Sequence, residues 1–422
     1  MQEVKLRVDE FYGDHILPLS FPDGWKLKIV EMNGSNLPPM TDEEIQNSLD
    51  NTIGGSNIIE QARGKKGKIV ITCDDLSRPT PAHSVFPFII DNLHKAGISD
   101  KQIFILSSFG THPPMSLDNF SRKVGESAVA KYDCVNHNPF DNFENLGKTS
   151  RGTPLLINKE FISADLRICI SGVKKHDGAR TGSAGASGGG KAVLPGVSSI
   201  ETIAYNHNVL AERRPEDKKI GAYWWIKNNE ERSDMQEAAR IADLNISVNC
   251  VFNGNRQLIG IYAGDLDDAW KESVKFCYQA HATNPIGKGD IVILNSYPQG
   301  GRGIEWWGAE ESLEKQGTIV AIHQYTPGIS IQHYLGEKAR VIDRIRGYIN
   351  RRWPVEQANE IIFFTKKLSR RHILKYTDKV KWMTSWNSVL PKLIELHDED
   401  STAIIYTCPP LQFNKKKYPL LL

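Results

Sequence analysis

The sequence predicts an α/β protein of two α/β domains with mostly parallel sheets and a ligand cleft between them. Three observations predict this. Short apolar runs rich in Ile and Val recur along the chain, each long enough for one buried strand. Segments of helical periodicity alternate with them, which is the βαβ signature. The series then starts afresh near residue 290, after a break reading Thr283-Asn284-Pro285-Ile286-Gly287.

Taken in order, Lys68–Cys73 (KIVITC) reads as a buried strand. Pro81–Gly97 follows as a helix with Val85, Phe86, Ile89, Ile90 and Leu93 on one face. Gln102–Ser107 and Asp165–Ser171 are the next strands. Asp265–Ala282 is helical and ends at the break. Asp290–Asn295 (DIVILN) opens the second series, continued by Gly317–His323 and Glu360–Thr365. Thr402–Cys408 is a terminal strand that could return to either domain. The expected division is a first domain over residues 1–275, a smaller second one over 286–400, and a C-terminal segment 401–422 free to return to the first.

Composition narrows the class. A chain of 422 residues carries 52 Lys+Arg against 50 Asp+Glu, a net charge of +2, which excludes a broadly basic nucleic-acid binder. No apolar run approaches the ~18 residues of a membrane span. Glu3, Lys5, Arg7, Asp9 and Glu10 leave no room for the apolar stretch of a signal peptide, so a cytoplasmic location is expected. The six cysteines lie far apart with no CxxC. Cys73, Cys169, Cys250 and Cys408 fall in strand-like runs and read as reduced core residues rather than a zinc site or a disulfide framework.

Polar clusters follow three of the predicted strands. Asp74-Asp75-Leu76-Ser77-Arg78-Pro79-Thr80-Pro81 comes after the first. Phe109-Gly110-Thr111-His112-Pro113-Pro114 comes after the second, and Gly172-Val173-Lys174-Lys175-His176-Asp177 after the third. Each alone reads as a turn. If the strands are parallel, all three face one crevice, because open α/β sheets bind ligands beyond the carboxyl ends of their strands.

A glycine-rich loop, Ser183–Gly196 (SAGASGGGKAVLPG), adds a phosphate-binding candidate, since glycine backbone can approach a ligand closely. Gly185 to Lys191 fits G-x-x-x-x-G-K. A nucleotide-hydrolysing P-loop needs Ser or Thr next; Ala192 stands there, and Pro195-Gly196 would interrupt the following helix. His207 lies sixteen residues beyond Lys191 with no second metal-ligand partner at HxxxH or HxxE spacing.

Together these clusters resemble the nickel-dependent lactate racemase family, the nickel-pincer nucleotide enzymes. That family carries DDxTRPxP, GTH, a PHxxAGFSGGxKxxxPG loop and a later NH. Their counterparts are Asp74–Pro81, Gly110-Thr111-His112, Ala184–Gly196 and Asn206-His207, in the same order and at similar spacing. The likeness extends to Leu146–Pro154, Asp243–Asn249 and Ala263-Gly264-Asp265, over roughly residues 1–275.

The resemblance implies a cofactor cleft holding a nickel-pincer nucleotide, pyridinium-3,5-bisthiocarboxylic acid mononucleotide nickel, covalently attached at Lys191. It implies His207 as the protein's nickel ligand, with the cofactor supplying the others. Ser187, Gly188, Gly189 and Gly190 would lie near the cofactor phosphate. Arg78 would hold the substrate carboxylate, Asp75 would contact the cofactor or orient Arg78, and His112 would be a general base. The implied reaction removes a hydride from the α-carbon of a 2-hydroxy acid and returns it to either face. Cofactor-maturation enzymes and the small-molecule substrate are the implied partners; neither nucleic acid nor membrane is, and the oligomeric state is left open.

The chain departs from the family pattern at two places. The family's second base stands ten positions before the linking lysine, where this chain has Thr181. His176 or Lys175 could replace it in a longer loop. In the second domain Tyr297-Pro298 is kept, but the Gln and Lys expected beyond it fall near Glu305 and Gly308. Arg302, Glu305 and Trp306 are therefore the substrate-binding candidates there, and Trp307 could pack beside them. Losing a carboxylate-binding lysine and gaining an acid argues for a racemase or epimerase of a 2-hydroxy acid other than lactate. The alternatives are a related oxidoreductase or lyase, a cofactor-binding protein without racemase activity, or a P-loop nucleotide binder.

Overall fold

The long apolar runs form strands whose residues are buried throughout, as strands covered by helices on both faces must be. The structure, a computed structural model, describes residues 1–175, 185–210, 229–328, 353–368, 380–418 and 420. In chain order its strands of three or more described residues are β1 (Gln2–Val8), β2 (His15–Phe21), β3 (Lys26–Val30), β4 (Ile69–Cys73), β5 (Ile103–Ser107), β6 (Asp133–Asn136), β7 (Phe143–Lys148), β8 (Pro154–Asn158), β9 (Leu166–Gly172), β10 (Ile246–Phe252), β11 (Leu258–Gly264), β12 (Gly289–Asn295), β13 (Leu313–Ile322), β14 (Ala358–Phe364), β15 (Lys381–Met383) and β16 (Thr402–Tyr406). No helix among the described residues is long and apolar enough to cross a membrane.

The chain divides into two units. The first takes residues 36–280 together with 416–418 and 420 of those described. Its sheet has the order β11-β10-β9-β4-β5-β6, parallel throughout except for the antiparallel pair β10–β11 at one edge. Every residue of β4, β5, β9 and β10 is buried. The helices that matter for the site are α1 (Phe86–Lys95), α2 (Leu117–Val124), α3 (Glu230–Ile241) and α4 (Asp268–His281). α1 buries Phe86, Ile89, Ile90 and Leu93, the predicted face, although Pro81 leads only into a 3-10 turn before it. One apolar cluster joins Val70, Leu106 and Cys169 on the sheet to Val193, Leu194 and Val197, and to Met235, Ala238 and Ala239 on α3. The tail of the glycine-rich loop is therefore core.

The second unit takes residues 1–35 and, of those described, 281–328, 353–368 and 380–415. Six parallel strands run in the order β15-β14-β13-β12-β16-β3. Alternate residues serve opposite faces, as the pleat requires. Val292, Leu294, Ile319 and Ile361 lie in one apolar cluster; Ile291, Ile293, Val320 and Ile405 lie in another, with helix α5 (Trp386–Leu396) and the β1–β2 hairpin.

The α/β class and the mostly parallel sheets are as predicted. The two units divide between residues 280 and 281. Two boundaries need correction. Residues 1–35 belong to the second unit, because β3 pairs with β16 across more than 370 positions of chain. β16 itself lies inside the second sheet, so it does not return to the first unit. A strand's partner is fixed by tertiary pairing, which no local pattern specifies. Cys73, Cys169 and Cys250 are buried in strands, and burial pushes their thiols up; Cys408 is buried just beyond β16 rather than in it.

Candidate active site

β9, β4 and β5 are adjacent and parallel, so the three polar clusters leave the same edge of one sheet. After β4 the chain turns tightly: Asp75 Oδ1 accepts the Ser77 amide at 2.7 Å, and Asp75 O accepts the Arg78 amide at 3.0 Å. This turn presents Asp75 and Arg78 to the loop after β5, where Gly110 has a positive φ of 62° and donates its amide to Gly196 O.

His112 Nδ1 is 2.8 Å from Asp75 Oδ2, with both side chains buried. An ionised carboxylate only accepts, so Nδ1 donates to it, and in the neutral ring Nε2 is the acceptor nitrogen. Ser77 Oγ lies 3.2 Å from Nδ1, and Arg78 donates to Ser77 Oγ at 2.8 Å. Arg78 Nη2 is 3.4 Å from His112 Nε2. Burial opposes the charge on Asp75, but His112 and then Arg78 outweigh it and hold the carboxyl far below the usual range.

A lysine that the sequence reading passed over holds this turn. Lys123, from α2, is fully buried. Its Nζ is 2.5 Å from Asp74 Oδ1 and donates to the carbonyls of Asp75, Arg78 and Thr80 at 3.2, 2.9 and 3.1 Å. On sequence alone it looks like any helix lysine.

The glycine-rich loop folds back on β9. Ser187 Oγ donates to Gly172 O at 2.7 Å and accepts the Lys174 amide. The amide of Gly189 goes to Asn249 Oδ1 at 3.0 Å and that of Gly190 to Gln236 Oε1 at 2.7 Å. The amides of Gly189 and Gly190 are thus taken up inside the protein rather than offered as a phosphate cradle. The glycines are needed because a Cβ on Gly189 would meet Trp270 and Arg232, and one on Gly190 would meet Met235 O. The P-loop reading fails for the same reason, and only a short 3-10 turn, Gly189–Ala192, follows. Lys191 sits on that turn, half-buried, before the chain enters the core at Ala192.

His207 lies on a turn of π-helix, Tyr205–Leu210, and is also half-buried. Such turns are uncommon in helices and often sit at functional sites. The neighbouring Asn206 is buried and donates to Asp234 Oδ2 at 2.7 Å. Among the described residues no group of three His, Cys, Asp or Glu could hold a metal ion.

Lys175 is buried at the exit of β9, where its backbone pairs with Ala186. His176 and Thr181 lie outside the described residues, as does the side chain of Arg302. In the second unit Glu305 and Trp306 are half-buried, Trp306 edge-on to Phe363. Trp307 is core, donating to Pro409 O at 3.0 Å and packed on Tyr406. The segment after Tyr297-Pro298 is anchored by residues no motif flagged. Tyr297 Oη donates to Asp14 Oδ1 at 2.6 Å, Gly300 donates its amide to the Glu10 carboxylate, and His323 Nε2 donates to Gly300 O at 2.8 Å.

Comparison with known proteins adds the following. A family model described as the lactate racemase N-terminal domain matches residues 12–218. A lactate racemase of Lactiplantibacillus plantarum is 32% identical over 289 residues, 66% of this chain and 65% of that protein. A lactate racemase of Thermoanaerobacterium thermosaccharolyticum is 30% identical over 293 residues, 68% of this chain and 66% of that protein. The chain thus spans just under two thirds of the length of these curated relatives. The fold is similar to that of the lactate racemase apoprotein from Thermoanaerobacterium thermosaccharolyticum, with a TM-score of 0.69 and 21% identity over 98% of this chain and 100% of that one. It is also similar to a Thermotoga maritima protein, with a TM-score of 0.60 and 19% identity over 87% of this chain and 96% of that one.

Proposed function

The chain belongs to the lactate racemase family through its N-terminal domain, and from that premise we propose that it is a cytoplasmic racemase or epimerase of a 2-hydroxy acid other than lactate, dependent on a nickel-pincer nucleotide. The observation that carries this reading is the placement of Arg78 against the Nε2 side of His112. A 2-hydroxy acid presents a carboxylate and a hydroxyl on neighbouring carbons. Arg78 would bind the carboxylate, and the adjacent His112 Nε2 would take the hydroxyl proton. Asp75 fixes the ring through Nδ1 and stabilises the imidazolium that forms, the role a carboxylate plays behind a histidine base.

Lys191 would hold the cofactor covalently, and His207 would ligate its nickel. When bound, the nickel-pincer group would accept the α-hydride and give it back. The protein's own part is then to bind the carboxylate, hold the hydroxyl proton at Nε2, and return it as the product forms. A second base for the other enantiomer would come from Lys175 or His176. The reading of a substrate other than lactate rests on Gly308 standing where a lysine is expected and Glu305 where a glutamine is. Arg302, three residues after Gln299, is the cation nearest Tyr297-Pro298 in sequence.

The test is to produce the full chain together with cofactor-making enzymes that load a known lactate racemase. Intact mass after denaturation and nickel per chain report the cofactor. Loss of optical activity from a panel of single-enantiomer 2-hydroxy acids reports the reaction. An adduct on Lys191, about one nickel per chain and racemisation of at least one member other than lactate are expected. An unmodified, nickel-free chain would sink the cofactor reading. A loaded chain that racemises none of the panel would sink the racemase reading.

A further inference from the structure

We propose that α3 is a positioning helix that sets the Lys191 turn against the His207 turn, through Arg232 and Gln236 on one face and Asp234 on the other. The proposal rests on the reading that Lys191 and His207 grip one cofactor. Two anchors on a single rigid group must keep a fixed separation, yet both stand on short, irregular turns. Neither turn holds such a separation by itself.

The helix supplies it. Residues 232 and 236 are four apart and share a face; at 3.6 residues per turn, residue 234 lies about 200° round from residue 232. On the first face Arg232 donates to Gly188 O at 2.9 Å and to Ala186 O at 3.2 Å. Gln236 Oε1 accepts the Gly190 amide at 2.7 Å and Arg232 Nη2 at 2.9 Å. The Arg232 guanidinium stacks on Trp270 at 3.6 Å, and Trp270 donates to Ser187 O at 2.8 Å. The residues around Lys191 are thereby clamped from behind.

On the second face the Asp234 carboxylate is fully buried and accepts three side-chain donors. Thr149 Oγ1 is at 2.5 Å, Thr153 Oγ1 at 2.8 Å and Asn206 Nδ2 at 2.7 Å. Asn206 immediately precedes His207, and its Nδ2 also reaches Glu231 O. The Leu146–Pro154 segment, part of the resemblance but given no role by it, thus acts through Asp234 on the His207 turn.

These are costly choices for packing alone. Arg232 is buried with no carboxylate at ion-pair distance among the described residues, and burial pushes it down to about 9. Asp234 is buried on hydroxyl and amide donors. Apolar side chains would fill the same space without desolvating a charge.

The experiment uses the full chain loaded as above. Asp234→Asn keeps the size but gives Asn206 an amide instead of a carboxylate. It is expected to retain the Lys191 adduct while losing nickel to EDTA at least tenfold faster than wild type. Arg232→Met and Gln236→Leu loosen the other turn and are expected to lower the fraction of chain carrying the adduct at least threefold. The double variant Asn206→Asp/Asp234→Asn restores the pair in reverse and should recover part of the nickel retention. Should Asp234→Asn fail to fold, Asn206→Ala tests the same link from the turn side. Variants of both faces with wild-type adduct and wild-type nickel retention overturn this proposal alone. A wild type without adduct or nickel overturns the underlying reading, and this proposal with it.

Discussion

His112 Nδ1 and Asp75 Oδ2 are 2.8 Å apart and buried together, which leaves the other ring nitrogen beside Arg78. Replacing His112 by Gln removes the base while keeping a polar side chain. The expected result is a fall in kcat of about 10²- to 10⁴-fold. The fall of kcat/KM toward low pH, which a base that must be deprotonated produces, should vanish with it. Steady-state rates between pH 5 and 9 check both; an unchanged profile would remove His112 from the base role.

Arg78→Lys keeps the charge and loses the planar fork. One charge-assisted hydrogen bond is worth about 1.5–3 kcal/mol, so KM should rise about 10- to 100-fold. The effect on kcat should be smaller. Rates across substrate concentration decide it, and a change in kcat alone would place Arg78 elsewhere than on the carboxylate.

Lys123→Met should unfold the turn that carries Asp75 and Arg78 before it touches chemistry. The variant leaves Asp74 without its buried cation, a change that costs about 3–5 kcal/mol. Urea denaturation should show that loss. The double variant Asp74→Asn/Lys123→Met should recover part of it, because no charge is then left unpaired.

His137 gives the fold an acid limit. It is buried, with Nε2 donating to Ser198 O at 2.9 Å, and burial pushes it down to about 4 although that carbonyl opposes the shift. The unfolded chain binds this proton near pH 6.5 and the folded chain only near pH 4, so between the two the unfolded state binds more protons. The stabilisation is present above pH 6.5 and is lost as pH falls toward 4, up to about 3 kcal/mol at 25 °C. Melting temperature against pH should fall through that window, and should fall less in His137→Gln.

The sequence by itself determined the repeating strands, because an Ile- and Val-rich run buried on both faces has one reading wherever it occurs. It also determined where polar chemistry collects, since clusters following parallel strands must leave the same sheet edge. Asp75, Arg78 and His112 were legible for that reason. Tertiary structure alone decided the rest. The pairing of β3 with β16 moved residues 1–35 into the second unit. The Gly189 and Gly190 amides read as a phosphate cradle until Asn249 and Gln236, from distant segments, were seen to take them. Lys123, Arg232 and Asp234 look in sequence like ordinary helix-surface charges. Burial and partners give them meaning, and both depend on which segments fold against one another rather than on any spacing along the chain.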